Sequence, residues 1–418
     1  MRNLYNILTI IANFHLKIFA PFNKKIRLGV KGRNTTYTHL NDLIKPEDKT
    51  LWFHCASLGE YEQGLPVFEG VKMMFSDHKI VLTFFSPSGY EIKKNTPLAN
   101  AVVYLPLDTK KNAEKFLDLI HPSLVIFVKY EIWPNYLSEI KRLNIPSILI
   151  SAVFRKEQPY FKSHSKWMLK SLEAFDHFFV QNEASKTLIE SYGFKNVSVS
   201  GDTRFDRVSQ QLDMNNVLNF IETFKSKNLC LVAGSTWPED EKILIDYINS
   251  TTNDLKFIIA PHNIKKSQIE HLRSDLKDNV ILYSEKESKD LSHAKILILD
   301  TIGLLSKVYN YADIAYVGGA LGQTGLHNTL EPAVFGVPII IGPNYQNFPE
   351  AIDMITQGGM LVVDNANSFK KTVDKLASNR EELILKGEKN AEYVKKNRGA
   401  VIQILDYLRK YKQKTGRS

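Results

Sequence analysis

The segment VGGALGQTGLHNTLEPAVFGVPIIIGPNYQNFPEAI, residues 317–352, decides the fold of the second half of the chain. An apolar run, Ile314–Val317, leads into a glycine-rich loop, and a helix is predicted to begin near His327–Leu330. Glycines between a strand and a helix let backbone N–H groups approach an anion, and the helix N-terminus adds positive potential. The segment therefore predicts an anion-binding loop. Its glycines are Gly318, Gly319, Gly322 and Gly325.

Polar residues follow this glycine loop in an order that fits a nucleotide sugar. Glu331 can accept hydrogen bonds from vicinal hydroxyls, as acidic residues do for a ribose. His327 and Asn328 stand at the predicted helix start, where Asn328 would alternatively serve only as a helix cap. Gly342-Pro343 ends the next strand, and Asn347-Phe348 opens another helix. The ordered set predicts nucleotide-sugar binding in a second Rossmann-like domain, against the alternative of a purely structural turn.

Outward from this segment, apolar runs alternate with stretches of helical period. One series extends from Leu51 to about Ser200, and a second begins at Asn228. This alternation predicts parallel sheets with helices on both faces. We expect an α/β fold of two doubly wound Rossmann-like domains that face each other across a cleft, where the carboxyl ends of strands contact ligands.

The predicted boundaries are 1–33 for an N-terminal segment, 34–205 for the first domain and 206–418 for the second. The alternative for the last helical stretch, from about Arg380, is that it packs back onto the first domain.

Composition supports a folded protein with an anionic partner. The chain has 418 residues, of which 44% are hydrophobic and 24% charged. This length predicts two or three domains. The net charge of +9 is compatible with phospholipid, nucleic acid or a phosphorylated substrate. Cys55 and Cys230 lie too far apart for a disulfide framework or metal-ligand spacing, which favours a reducing compartment.

The N-terminal segment predicts a helix with one polar stripe. Apart from the polar residues of this stripe and His15, the residues of Leu4–Ala20 are apolar. As a helix this stretch is roughly 25 Å long, and its polar stripe argues against spanning a bilayer. The stripe consists of Arg2, Asn6, Thr9, Asn13 and Lys17. The basic residues that follow are Lys24, Lys25, Arg27, Lys31 and Arg33.

An apolar helix followed by a basic cluster is typical of a helix that lies in the interface of an anionic membrane. A signal peptide is disfavoured because no small-residue cleavage motif follows. A second alternative is an amphipathic helix packed on the protein's own core. A nucleic-acid partner is disfavoured because the chain lacks an aromatic–basic stripe. We therefore expect a membrane surface as a partner and no nucleic acid.

Two acidic residues follow strands of the predicted first domain. Glu60 begins a helix after the strand-loop WFHCASLG, residues 52–59, and Glu131 precedes the helix start Trp133-Pro134. A carboxylate in a first helical turn is favourable in itself, so Glu60 is either a structural acid or a general base toward an acceptor hydroxyl. Because parallel strand ends face one sheet edge, both acids are expected in the same crevice.

Five further residues are weaker candidates for substrate contacts. Ser235 and Thr236 lie between a strand and a Pro-started helix, where they suit phosphate contacts or helix capping equally well. His262 also follows a strand and is a candidate for phosphate or base. Arg155 and Arg204 can bind a carboxylate or phosphate by paired hydrogen bonds, although surface arginines are usually only solvated.

Taken together, these motifs resemble the 3-deoxy-D-manno-octulosonic acid (Kdo) transferases of lipopolysaccharide synthesis. The resemblance implies a two-domain GT-B fold and transfer of Kdo from CMP-Kdo to a lipid A precursor at the cytoplasmic face of the inner membrane. It implies that Glu60 is the catalytic base, that Glu131 is a second essential acid, and that the C-terminal motifs bind CMP. No cofactor and no metal are expected. The motifs are Gly32-Arg33, Ser57–Glu60, Glu131–Asn135, Ser151–Ala152, Gly201–Asp206, Ser235–Thr236, His327–Pro332 and Asn347–Phe348.

The chain departs from the family's pattern at three positions. Many members have an Arg-His pair where this chain has Pro261-His262, so only His262 matches the family's pattern at this position. Many have Arg at Val153, for which Arg155 is a substitute, and Lys is common at Arg204. The sequence leaves open another GT-B transferase, a sugar-nucleotide epimerase that uses a UDP-sugar, and a membrane-recruited module without activity.

Overall fold

The computed structural model describes residues 2–162 and 165–415 and gives each half of the chain a seven-stranded parallel sheet. The strand order in the first sheet is β3-β2-β1-β4-β5-β6-β7. Its apolar runs form strands because helices cover both faces, and β1 is buried along its whole length. The strands are β1 (Thr50–Cys55), β2 (Lys79–Phe84), β3 (Ala101–Tyr104), β4 (Pro122–Val128), β5 (Ser147–Ala152), β6 (His177–Val180) and β7 (Val197–Val199).

Nine α-helices lie between Arg2 and Ser209 in the described part of the chain. They are α1 (Arg2–Phe19), α2 (Lys24–Leu43), α3 (Leu58–Met74), α4 (Pro87–Lys93), α5 (Lys110–Ile120), α6 (Pro134–Arg142), α7 (Lys166–Ser171), α8 (Glu183–Ser191) and α9 (Thr203–Ser209). Several begin at a proline, whose fixed φ suits the first helical turn.

The second sheet repeats this plan with the order β10-β11-β9-β8-β12-β13-β14. Its strands are β8 (Leu229–Thr236), β9 (Leu255–Pro261), β10 (Val280–Leu282), β11 (Ile296–Ile298), β12 (Ile314–Val317), β13 (Ile339–Ile341) and β14 (Met360–Val362). The helices around it are α10 (Asn219–Lys225), α11 (Pro238–Ser250), α12 (Lys266–Asp275), α13 (Leu305–Val308), α14 (Leu330–Ala333), α15 (Pro349–Gln357), α16 (Ala366–Ser378) and α17 (Arg380–Asn397). The predicted pair of doubly wound α/β units is confirmed.

The last helix, α18 (Ala400–Thr415), belongs to the first unit. That unit ends at Arg207 and resumes at Arg398, whereas α17 lies in the second unit. The Asp206 carboxylate accepts from the backbone N–H groups of Gly399 (2.9 Å) and Ala400 (3.1 Å) and thereby caps α18. Side chains of α18 also enter the first unit's core, and these are the buried Ile404 and Leu408.

Helix α1 docks through its polar stripe. The Tyr5 hydroxyl donates to Asp108 Oδ2 (2.7 Å), and Asn135 Nδ2 donates to Asn6 Oδ1 (2.9 Å). Eight apolar side chains of α1 point outward and are each at least 45% exposed. They are Leu4, Ile7, Leu8, Ile10, Ile11, Phe14, Ile18 and Phe19.

The basic residues after α1 divide into two groups. Lys24, Lys25, Arg27 and Lys31 are exposed. Arg33 instead donates to the carbonyl oxygens of Leu105 (3.0 Å) and Phe85 (2.6 Å), so it is a structural clamp and not part of the exposed cluster. Of the helices described here, none combines the length and apolar character needed to cross a membrane.

Candidate active site

The order of the first sheet reverses between β1 and β4, which pair directly. In open parallel sheets, ligands bind at the carboxyl ends of strands where the order reverses. Glu60, on the first turn of α3 after β1, and Glu131, after β4, both lie at this point. The expected convergence of the two acids at one sheet edge is therefore what the fold produces.

Glu60 is a buried acid that caps α3 and has a raised pKa. Its side chain is 6% exposed and accepts hydrogen bonds from the backbone N–H of Ala56 (2.5 Å) and Ser57 (3.0 Å), which caps α3. Burial, followed by the negative charge of Glu131, raises the pKa of Glu60 to about 7, against the opposing charge of Lys129. A carboxyl group with a pKa near neutrality can accept a proton in the reaction and release it afterwards.

Glu131 lies in a buried hydrogen-bonded network. The indole N–H of Trp133 donates to Glu131 Oε2 (2.9 Å), and His54 Nε2 lies 3.3 Å from the same oxygen. On the other side of the ring, His54 Nδ1 lies 2.8 Å from the hydroxyl of Thr83, which also accepts from the indole of Trp52 (2.8 Å). These contacts fix the position of the Glu131 carboxylate.

The second sheet reverses its order between β8 and β12. Ser235, near the end of β8, has a left-handed backbone with φ of 55°, which is uncommon for a residue other than glycine. Thr236 is buried and donates its hydroxyl to Glu241 (3.1 Å), while its carbonyl accepts from His262 N–H. Ser235 and Thr236 are thus brought together with His262 at the strand-end edge.

The glycine loop after β12 is held by a buried acid. Asp240 accepts from the backbone N–H of Trp237 (2.9 Å) and Gly319 (2.8 Å), and from the hydroxyl of Tyr316 (2.6 Å). Gly319 has φ of 95°, and a Cβ there would overlap the carbonyl oxygen of Gly325, so only glycine fits this position. The adjacent Gly322 accepts from Asn344 through its carbonyl (2.9 Å).

An aromatic and imidazole cluster lies on the same edge. Trp237 donates its indole N–H to His327 Nε2 (2.9 Å) and stacks on the His262 ring at 4.5 Å between centroids. Burial lowers the pKa of His327 to about 4, with a further contribution from His262, and burial also lowers the pKa of His262. At neutral pH both rings are therefore uncharged, so they serve as hydrogen-bonding or stacking groups.

The helix predicted to begin near His327–Leu330 begins at Leu330 and is the single turn α14. A helix of one turn adds only a small positive potential to the glycine loop. Asn328 caps this turn by accepting from Leu330 N–H (3.2 Å) and donates to Glu331 Oε1 (3.0 Å). Asn347 is exposed just before α15.

The two arginines differ in their surroundings. Arg155 is exposed, and its backbone N–H donates to Gln158 (2.7 Å). Arg204 is partly buried and pairs with Asp202 at 2.8 Å, so its guanidinium already has an internal anion. Arg155 is thus the freer of the two for an external anion.

Sequence reasoning missed His54 and Asp240 and treated Trp133 as a core residue. Each carried a signal. An ionisable His54 inside the apolar run of β1 needs a polar partner when buried, and Asp240 lies in the first turn of a helix, where it can cap. Within the described ranges, no three His, Cys, Asp or Glu side chains gather as a metal site.

The chain is similar in sequence to several known proteins. Residues 27–207 match the family model described as 3-deoxy-D-manno-octulosonic-acid transferase (kdotransferase). A 3-deoxy-D-manno-octulosonic acid transferase of Haemophilus influenzae is 27% identical over 380 residues, which cover 88% of this chain and 88% of that protein. A bifunctional glycosyltransferase/methyltransferase of Fusobacterium nucleatum is 28% identical over 394 residues, 90% of this chain, which spans only 59% of that longer protein.

Solved structures agree in fold. UDP-GlcNAc 2-epimerase from Neisseria meningitidis has a TM-score of 0.62 at 13% identity and covers 87% of this chain and 100% of its own. Acinetobacter baumannii MurG has a TM-score of 0.54 at 12% identity and covers 87% and 99%. Together with the family match, the two doubly wound units define a glycosyltransferase of the GT-B type. Within that class, the chain is similar to Kdo transferases: residues 27–207 match their family model, and the similarity to the Haemophilus influenzae enzyme covers most of the chain.

Proposed function

We propose that the chain transfers Kdo from CMP-Kdo to a lipid A precursor, lipid IVA, in lipopolysaccharide core synthesis. The observation that carries the proposal is the buried Glu60 at the β1/β4 reversal, whose pKa is raised to about 7 by burial and by Glu131. Such a group is suited to act as a general base near neutral pH. The identities of the sugar, the donor and the acceptor are inferred from the similarity of the chain to Kdo transferases.

In the proposed reaction, Glu60 removes the proton of a glucosamine hydroxyl on the acceptor. The hydroxyl oxygen forms a bond to the anomeric carbon of Kdo, and the bond from that carbon to the phosphate oxygen breaks. CMP leaves with the electron pair, and its negative charge is stabilised by backbone N–H groups and nearby polar side chains. No metal ion is included in this scheme.

The second unit supplies the groups for CMP. Glu331 suits the ribose hydroxyls, since a carboxylate there can accept from both. Ser235, whose backbone is in the left-handed conformation, and the Gly319 loop present backbone N–H and hydroxyl groups of the kind that bind phosphate. Because burial lowers the pKa of His262 and His327, both rings are neutral near pH 7 and can stack on the base or hydrogen-bond to the phosphate.

We further propose that α1 lies on the cytoplasmic face of the inner membrane. The polar stripe of α1 is used for docking on the protein, and its apolar side chains remain exposed. An exposed apolar helix next to Lys24, Lys25, Arg27 and Lys31 fits an anionic lipid surface, where each basic residue contributes about 1 kcal/mol. This placement would bring the enzyme to its lipid acceptor.

The decisive experiment is a transfer assay with CMP-Kdo and a tetraacylated lipid A precursor, with products measured by mass. A mass increase of one or more Kdo residues supports the proposal and gives the number transferred. Thermal unfolding with CMP or UDP is the parallel test of the donor. Stabilisation by UDP alone, with no Kdo product, would replace this function by that of a UDP-sugar enzyme of the same fold.

Membrane binding is tested separately by sedimentation with vesicles that contain anionic lipid. We expect the full chain to bind such vesicles and a variant with Ile10→Asp and Phe14→Asp to lose binding. Both positions are well exposed, at 62% and 64%, so the substitutions should not disturb folding. Equal binding of both proteins would contradict the proposed surface.

A further inference from the structure

His54 is a buried titratable residue to which the reaction above gives no role. It lies on β1 with no exposed surface, among strands that are otherwise apolar. A buried imidazole requires partners for both ring nitrogens, and His54 has them in Thr83 on β2 and Glu131 after β4. It therefore joins three neighbouring strands directly beneath the β1/β4 reversal.

The distances assign the protons of this network. The indoles of Trp52 and Trp133 can only donate. Thr83 accepts from Trp52, and its own proton has His54 Nδ1 at 2.8 Å or the Phe53 carbonyl at 3.4 Å, so the shorter contact takes it. With Nδ1 as the acceptor, the ring proton is on Nε2 and is directed at Glu131 Oε2 at 3.3 Å.

Trp133 completes the arrangement. Its N–H lies 2.9 Å from Glu131 Oε2 and 3.1 Å from His54 Nε2. Because His54 Nε2 already carries a proton, the indole hydrogen goes to the carboxylate. A single oxygen of Glu131 thus accepts from two rigid ring donors, one of which is anchored in turn by Thr83.

We propose, on the basis of the function proposed above, that His54 and Trp133 are positioning residues that hold the Glu131 carboxylate as a fixed negative charge beside Glu60. In this arrangement Glu131 carries no proton in the reaction. It raises the proton affinity of the base through space, as one carboxylate does to a second that shares its site. The groups around Glu60 that act on it or sense its charge are Glu131, Lys129, Tyr130 and Cys55.

The sign of the effect follows from electrostatics. Glu131→Gln removes a like charge, so ionised Glu60 becomes easier to form and its pKa falls, by about one pH unit or more. His54→Leu removes a donor to the Glu131 carboxylate, which should act in the same direction but less strongly. His54→Gln keeps an N–H near the Nε2 position and should leave the pKa of Glu60 close to that of the wild type.

The test uses two readouts. The acidic limb of the pH profile of kcat/KM reports the base in the free enzyme. A ¹³C NMR titration of labelled glutamate carboxyl groups, with Glu60 identified by its loss in Glu60→Gln, reports the same group without substrate. Glu139→Gln and His177→Leu are matched controls, since Glu139 is buried but pairs with Arg142, and His177 pairs with Ser198 in the same unit.

The expected result is a shift of both readouts to lower pH in Glu131→Gln, a smaller shift in His54→Leu, and none in His54→Gln or the controls. If His54→Leu does not fold, Trp133→Phe removes the other donor and takes its place. Unshifted titration of Glu60 in Glu131→Gln and in the donor-removing variant would overturn the proposal. A wild type without Kdo transfer would refute the proposed function alone, because the NMR titration still decides the role of His54.

Discussion

Glu60 and Asp240 occupy equivalent places in the two units but differ in what surrounds them. Each is the third residue of the helix that follows the strand beside the reversal, and each caps that helix with its carboxylate. Burial raises the pKa of both. Asp240 has Tyr316 and Gly319 as additional donors, whereas Glu60 faces the negative charge of Glu131.

This difference teaches how one architecture carries two chemistries. An acid that accepts three hydrogen bonds from fixed donors, as Asp240 does, organises the structure around it. An acid that is buried beside a second acid is held near its titration point and can exchange a proton. In the first unit the edge is therefore suited to proton transfer, and in the second it is suited to binding.

The largest expected effect is on the base. Glu60→Ala should reduce Kdo transfer by about 10²- to 10⁴-fold, the usual contribution of a general base, while CMP binding stays largely intact. Transfer rate and CMP affinity by calorimetry are the measurements, with Glu139→Gln as the control. Wild-type turnover in Glu60→Ala would remove the proposed role.

The next effect concerns Asp240. Asp240→Asn places an amide N–H against backbone donors and should lower the free energy of unfolding by about 2 kcal/mol, and weaken CMP binding because the Gly319 loop loses its anchor. Urea unfolding and CMP affinity check this. A variant as stable as the wild type, with unchanged CMP affinity, would show that Asp240 does not organise the loop.

A smaller effect is expected at Glu331. Glu331→Ala should weaken CMP binding about tenfold, as for the loss of one charge-assisted hydrogen bond. CMP affinity is again the measurement, and cytidine alone should show the same loss if the ribose is the group contacted. A loss confined to CMP and absent with cytidine would assign Glu331 to the phosphate side.

The two units should also differ in the pH dependence of stability. The pKa of Glu60 is raised from 4.5 to about 7. Its contribution to the free energy of unfolding is therefore present below pH 4.5 and is lost as the pH rises to 7. The pKa of His327 is lowered from 6.5 to about 4, so its contribution is present above pH 6.5 and is lost as the pH falls to 4. Melting temperatures of Glu60→Gln and His327→Gln relative to wild type should therefore change with pH in opposite directions.

The smallest effect is expected from metal removal. Because the proposed reaction uses side chains and backbone N–H groups only, prolonged dialysis against EDTA should leave the transfer rate within about twofold of the untreated enzyme. Added Mg²⁺ should likewise change little. A rate that collapses with EDTA and returns with Mg²⁺ would require a metal in the reaction.

Much of the fold was predictable because its signals are local. The run Ile314–Val317 is apolar throughout, and Leu51–Cys55 is interrupted only by His54, which is typical of strands buried on both faces. Three helices begin at a proline that the sequence shows directly, namely Pro134, Pro238 and Pro349. The return of the chain to the first unit at Arg398 was not decided by pattern, because a helix with one apolar face fits either unit equally well.

The site was predictable in the positions of its acids and less so in their partners. Glu60 and Glu131 follow strands, and parallel pairing alone brings such positions to one edge. The pairing of His54 with Glu131 joins residues far apart in sequence, and nothing in either local segment specifies it. The hydrogen bonds of Arg33 to the distant residues Phe85 and Leu105 were invisible for the same reason.

The sequence by itself determined the two doubly wound units, the glycine loop and the resemblance to Kdo transferases, because strand periodicity, helix starts and glycine conformations are written in short segments. Only the tertiary structure decided which acid is free to exchange a proton. Glu60 and Asp240 look alike in sequence, each an acid in a first helical turn. Their protonation depends on burial and on charges and donors from other strands, and those are properties of the folded chain.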